Sequence, residues 1–348
     1  MDATDFIHFE RRGLAGIVTL DRPAALNALS HAIVRALARR LTEWAADPQV
    51  ETVVVRGRGR AFCAGGDIRA VYEAGRQGPP AIDFFRDEYR LNAAVKHFPK
   101  PYVALVHGYV MGGGAGISIH GRYRVFAADA VFSMPETGIG FFPDIGGSHF
   151  LSRMPASTGV YCALAAARLG RGDCLHTGIA THAAPADRFD AIVDALAGEA
   201  DVEAVLAHFT EPAPPPETLG AVDPVVAEVF GTGGVETILA RLDQVDAPHA
   251  AFAARAAAAI RTKSPTSLRI ALRQVRAAAA LDFDDCIRLD FRIVNEILSG
   301  HDFYEGVRAA LVDRDGVPHW RPATLPAVDE RAVERHFLPP RGGDLVFA

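Results

Sequence analysis

The chain has 348 residues, 49% hydrophobic and 22% charged, with a formal net charge of −6. That size supports a large core and about two domains at roughly 100–200 residues each, and the acidic balance argues against a general nucleic-acid binder, so no nucleic-acid partner is expected. No run of about 18 apolar residues occurs, so no membrane span is expected, and the opening MDATDFIHFERR lacks a signal peptide's apolar core.

In chain order, FIHFE (6–10) and GIVTL (16–20) alternate as strands do and lie close enough to pair across RRGLA. Ser30 is a good N-cap for a helix whose apolar stripe is Ile33, Val34, Leu37, Leu41 and Trp44. TVVVR (52–56) and YVALV (102–106) are β-branched runs suited to buried parallel strands. RVFAAD (124–129) and AVFSM (130–134) predict two more short strands. Beyond 150 the strand signals thin out, and helices are predicted over 157–168, 186–208, 220–245, 248–262, 266–279 and 283–299. The alternation in the first part argues for an α/β fold. The proline run EPAPPPE (211–217) cannot continue a helix and marks a boundary between a core of residues 1–210 and a helical region of residues 218–348.

The four cysteines, Cys63, Cys162, Cys174 and Cys286, lie far apart without a CxxC pair. They are expected to be free buried thiols in a reducing cytoplasm. The histidines show neither HExxH nor zinc spacing, so no metal site is expected.

Two glycine-rich turns follow the two strongest strands: GRGRAFCAGGDI (57–68) and HGYVMGGGAGISI (107–119). Such turns let backbone N–H groups approach a ligand, and two of them aimed at one oxygen would make an oxyanion hole. The plainer alternative is that the glycines only permit tight turns. Neither turn fits a nucleotide motif, because Ile117 stands where GxGxxG needs its last glycine and no GK[ST] follows. His107, Ser118 and Ser133 are expected to be structural. RGRGR (56–60) and Arg22 are candidates for a phosphate-bearing ligand tail.

The segment FSMPETGIGFFPDIGGSHF (132–150) holds only two acids, Glu136 and Asp144, with no Lys or Arg beside them. Its prolines and glycines exclude one long helix, so both acids fall in loops and short turns. An acid among apolar groups resists ionisation, and its pKa rises toward working pH, as a general acid or base requires. The alternative is that each carboxylate caps a short helix.

LDRPAALNAL (20–29), GRAFCAGGDIRA (59–70), HGYVMGGGAGI (107–117) and PETGIGFFPDIGG (135–147) together resemble the crotonase (enoyl-CoA hydratase/isomerase) superfamily. KSPTSLRIALRQ (263–274) and GHDFYEGVRAALVDRD (300–315) extend the resemblance, which is most specific toward a hydrolase group acting on 3-hydroxyisobutyryl-CoA in valine breakdown. The resemblance implies a spiral core of ββα turns with a helical C-terminal region, an acyl-CoA substrate, trimeric or hexameric homo-oligomers, and no cofactor beyond the coenzyme A of the substrate. It further implies that Gly66 and Gly113 are the oxyanion donors, that Glu136 is the catalytic glutamate, and that Asp144 is the second acid of the hydrolase group. Ala64, Gly66, Asp67, Ile68, Gly113 and Glu88 are the implied substrate contacts, together with Glu136 and Asp144. One departure stands out: hydratases of this superfamily carry a first glutamate where this chain has Gly116. The implied activity is therefore hydrolysis of a short β-hydroxyacyl-CoA such as 3-hydroxyisobutyryl- or 3-hydroxypropionyl-CoA. The rivals are an isomerase or hydratase of the same fold and a non-catalytic scaffold.

Overall fold

The computed structural model describes residues 5–347. The chain divides into two compact units. The first comprises residues up to Asp67, then Arg90–Phe132 and Leu169–Thr218; the second comprises Ile68–Tyr89, Ser133–Arg168 and residues from Leu219 onward.

In the first unit the strands are β1 (Ile7–Arg12), β2 (Ala15–Leu20), β3 (Thr52–Gly57), β4 (Ala61–Cys63), β5 (Tyr102–Val106), β6 (Tyr109–Met111), β7 (Tyr123–Phe126), β8 (Val131–Ser133) and β9 (His182–Ala183). A six-stranded sheet runs β1-β2-β3-β5-β7-β9, and a three-stranded sheet runs β4-β6-β8. β1 and β2 form the expected antiparallel hairpin, with Ile7 opposite Leu20. The turn between them needs Gly13, whose φ is +52° and whose Cβ would fall 2.0 Å from the Ala197 carbonyl oxygen. The remaining pairs of the large sheet are parallel, which explains why β3 and β5 are apolar on both faces. Ile17, Val54, Val103, Leu105 and Val125 pack against Phe189, Ile192, Val193, Leu196 and Leu206. Those covering residues come from the helices Phe189–Gly198 and Val202–Phe209. The pattern 186–208 predicts one helix; the break falls at residues 199–201, where Asp201 caps the second helix by accepting the Ala204 N–H at 3.1 Å.

The helix His31–Ala46 begins as predicted, with Ser30 accepting the Ile33 N–H at 3.3 Å, and it buries the whole predicted stripe.

The second unit is mainly helical. Its longer helices are Ala250–Arg261, Pro265–Ala278 and Phe283–Ile297. The predicted 220–245 helix is two, Asp223–Phe230 and Val235–Leu242, separated by Gly231, Gly233 and Gly234. All four cysteines are buried thiols outside any disulfide. No described helix is long and apolar enough to cross a membrane.

Leu105 is fully buried on the central strand β5. Leu105→Ala is expected to lower unfolding free energy by about 2–5 kcal/mol through lost burial and a residual cavity. Urea denaturation followed by circular dichroism checks this.

Candidate active site

Both glycine turns belong to the first unit. The LNAL segment sets the first turn. Asn27, buried and with φ +59°, donates through Nδ2 to the carbonyls of Arg58 at 2.9 Å and Ala61 at 2.8 Å. The Ala64 N–H donates to Leu26 at 2.9 Å, the Leu29 N–H to Gly65 at 2.9 Å, and the Asp67 N–H to Leu29 at 2.9 Å. This is a parallel bridge between Leu29 and Gly66. In that pattern the neighbours of Gly66 are paired while its own N–H points away from the bridge, free to meet a ligand. The second turn enters the short helix Gly113–Gly116, which makes the Gly113 N–H a first-turn donor with no intrahelical partner.

The two turns abut. A Cβ on Gly65 would lie 3.9 Å from the Gly113 nitrogen, and one on Gly114 would lie 2.2 Å from the Cys63 carbonyl oxygen. Gly114 is thus required by the close approach of two chain segments, and Gly65 by its φ of +122°. Ala64 and Asp67 lie in the first turn, and Ile68 begins the helix Ile68–Gln77.

Most of the arginine candidates have intramolecular partners instead. Arg22 pairs with Asp67 at 2.7 Å, Arg56 with Asp190 at 2.5 Å, and Arg58 with Asp21 at 2.5 Å. Their charge organises the loops around the first glycine turn. His107 bonds the Gly59 carbonyl at 2.8 Å and Ser118 donates to Gly114 at 2.7 Å, both structural as expected.

The acids belong to the second unit. Glu136 opens the 3-10 turn Glu136–Ile139, which Gly140 ends at φ +69°. Only glycine fits at 140, because a Cβ would meet the Asp302 carbonyl oxygen at 2.1 Å. Glu136 is 6% exposed, and its Oε2 has no hydrogen-bond partner among the described residues. Asp144 is 5% exposed and accepts the Tyr89 hydroxyl at 2.9 Å. Its side chain caps no helix, since the following helix Gly147–Leu151 has Gly146 at its N-cap. Glu88 is 2% exposed, and its Oε1 has no described partner. Phe141, Phe142 and Ile145 are buried around the turn, with Phe141 stacked on Phe85 at 5.5 Å.

Among the described residues no Lys or Arg pairs with Glu88, Glu136 or Asp144. Burial therefore dominates their ionisation. It pushes Asp144 up to about 7, opposed by the Tyr89 hydrogen bond and its own backbone amide. Burial, then the charge of Asp144, lifts Glu136 and Glu88 well above the usual carboxylate range. Asp144 can thus exchange a proton near neutrality.

Three polar residues escaped the sequence reading. Tyr89 directly follows Glu88. Gln274 and Asp290 are both fully buried, on the helices Pro265–Ala278 and Phe283–Ile297. Each interrupts an apolar stripe, Gln274 beside Ile270 and Ala278, Asp290 between Cys286 and Val294. A polar group at a stripe position was the available signal.

The enoyl-CoA hydratase/isomerase family matches residues 15–337. Relatives named 3-hydroxyisobutyryl-CoA hydrolase, mitochondrial, include a Danio rerio protein at 39% identity, covering 94% of this chain and 88% of the relative. The Homo sapiens protein of that name is 37% identical, covering 99% and 92%. A solved structure described as a carnitinyl-CoA dehydratase from Mycobacterium thermoresistibile superposes with TM-score 0.92 at 40% identity, covering 98% of both chains. One described as an enoyl-CoA hydratase from Rhodobacter sphaeroides 2.4.1 gives TM-score 0.91 at 37% identity, covering 98% and 99%. These likenesses bear out the α/β spiral expectation. They overturn the cytoplasmic expectation, because the hydrolase relatives are named mitochondrial. Buried thiols do not by themselves distinguish the cytoplasm from the mitochondrion.

The raised Asp144 pKa makes a stability prediction. The unfolded carboxyl ionises near the ordinary aspartate value of 3.8, the folded one at about 7. Between these values the folded state keeps a proton that the unfolded chain has released, so this group's contribution to stability falls as pH rises through that window. Asp144→Asn is expected to raise the melting temperature at pH 8 by a few degrees, with the gain shrinking to nothing near pH 4. Thermal melts of both proteins across that range check it.

Proposed function

The chain belongs to the enoyl-CoA hydratase/isomerase family, and from that membership we propose that it hydrolyses a short β-hydroxyacyl-CoA thioester of the 3-hydroxyisobutyryl type to the free hydroxy acid and coenzyme A. The observation that carries the choice within the family is the pairing of acids. Asp144 is buried and tied to Tyr89, while the position of the hydratases' first glutamate is Gly116, inside the buried helix Gly113–Gly116. Adding water across a double bond in that family uses an acid at the Gly116 position. Cleaving a thioester does not.

In the proposed reaction the amides of Gly66 and Gly113 receive the thioester oxygen as it becomes negative. Removing one such donor typically costs about 2.7–4 kcal/mol of barrier. Glu136 either attacks the carbonyl to form an anhydride that water then opens, or takes a proton from the attacking water. Both routes consume one water and release the thiol of coenzyme A. Asp144, held by Tyr89, and Glu88 bind the substrate's β-hydroxyl. Three mutually repelling acids favour such a partner, because a hydroxyl can donate to a carboxylate. Ala64 and Asp67, with Ile68 at the start of the following helix, are further substrate contacts in this reading. The reaction uses only water and the thioester. Its product chemistry fits a step in valine breakdown, and assembly as a trimer or hexamer is part of the same proposal.

The test is thiol release from a panel of β-hydroxyacyl- and α,β-unsaturated CoA esters. Release from 3-hydroxyisobutyryl-CoA, with double-bond migration undetectable, is the expected result. Glu136→Gln and Asp144→Asn should each lower kcat by at least about 100-fold. An enzyme that shifts double bonds and is indifferent to Asp144→Asn is an isomerase. Release from none of the esters leaves the scaffold reading.

A further inference from the structure

The proposed chemistry depends on where Asp144 points, and the local backbone does not favour its own conformation. Ile145 has φ +59° and Gly146 has φ +71°. A β-branched residue at such a φ is an outlier that persists only where its surroundings over-determine it. Ile145 is fully buried, so its side chain is committed to the core while its backbone is strained.

Two side chains bridge the turn. Gln274 Nε2 donates to the Pro143 carbonyl at 2.9 Å and to Asp290 Oδ1 at 2.5 Å. Asp290 Oδ2 accepts the Gly146 N–H at 2.7 Å. The bridge therefore grips the residue before Asp144 and the residue after Ile145, closing a hydrogen-bonded ring over both. Inside the turn, the Gly147 N–H bonds the Asp144 carbonyl at 2.7 Å.

Gln274 and Asp290 are themselves costly to bury. Both are fully buried, and Gln274 Oε1 has no hydrogen-bond partner among the described residues. Replacing buried polar groups by apolar ones of similar shape is often neutral or stabilising. The polar atoms are accounted for by what they hold. The titratable groups acting on or through Asp290 are Asp144, the Tyr89 hydroxyl and Cys286, and no cation pairs with it among the described residues.

We infer that Gln274 and Asp290 are positioning residues for hydrolysis: they lock the 143–146 turn so that Asp144 stays on the Tyr89 hydroxyl. The inference rests on the hydrolase reading. It makes Gln274 and Tyr89 act through the same carboxylate, one by fixing its backbone and the other by fixing its side chain.

The experiment is a double-mutant cycle with Gln274→Met and Tyr89→Phe, measuring kcat and KM for CoA release from 3-hydroxyisobutyryl-CoA. Gln274→Met should lower kcat at least about tenfold while KM stays within about threefold. Tyr89→Phe should also lower kcat. The double variant should fall no more than about threefold below the worse single variant, because the second loss acts on a carboxylate already released. Losses that multiply, or wild-type kcat in either single variant, overturn the inference. If Gln274→Met fails to fold, Asp290→Asn takes its place in the cycle, since it keeps an acceptor for Gly146 but faces Gln274 with an amide. A wild-type enzyme that releases no CoA sinks the hydrolase reading itself, and the inference with it; an active wild type with multiplying losses sinks only the inference.

Discussion

Four carboxyl groups, those of Glu88, Glu136, Asp144 and Asp290, are buried in one unit, and no described cation pairs with any of them. An isolated charge in such surroundings is expensive, and the usual response is to keep a proton. Their mutual repulsion strengthens that response, because each ionisation makes the next harder. A folded protein carries such a cluster only if the rest of the fold supplies the stability it removes. Here the supply is ordinary: a sheet apolar on both faces in one unit and amphipathic helices in the other.

That constraint organises the details around it. Glu136 and Asp144 sit in turns shaped by glycines, as at Gly140, where a Cβ would meet backbone. Aromatic groups such as Phe141 and Phe142 take the places water would occupy. The hydrogen bonds that reach the acids come from neutral donors: the Tyr89 hydroxyl to Asp144, and the Gly146 amide and Gln274 side chain to Asp290. Neutral donors orient a carboxylate without fixing it in its charged form as an arginine would. On this account the site keeps both geometry and an available proton, which a salt bridge would surrender.

Much of this was legible in the sequence. The strands β3 and β5 announce themselves by unbroken β-branched runs, and the Ser30-capped helix by its apolar stripe. The isolation of Glu136 and Asp144 from any Lys or Arg in 132–150 already implied raised pKa values. Other features were not legible, for physical reasons. Arg22, Arg56 and Arg58 look like a ligand-binding cluster until their partners Asp67, Asp190 and Asp21 are known. Those partners lie up to 134 residues away, beyond any local pattern. The helix breaks at 199–201 and 231–234 interrupt stretches whose apolar period runs on. Gln274 and Asp290 were hidden because a stripe is judged by its majority, and one polar member reads as noise until its contact is seen.

The most direct measurement is the titration of Asp144 itself. Aspartate labelled with carbon-13 at the side-chain carboxyl, compared between wild type and Asp144→Asn, isolates the one resonance that disappears. The account predicts that this resonance titrates near pH 7, matching a carboxyl pushed up to about 7 by burial. A midpoint near pH 4, as for an exposed aspartate, would contradict it.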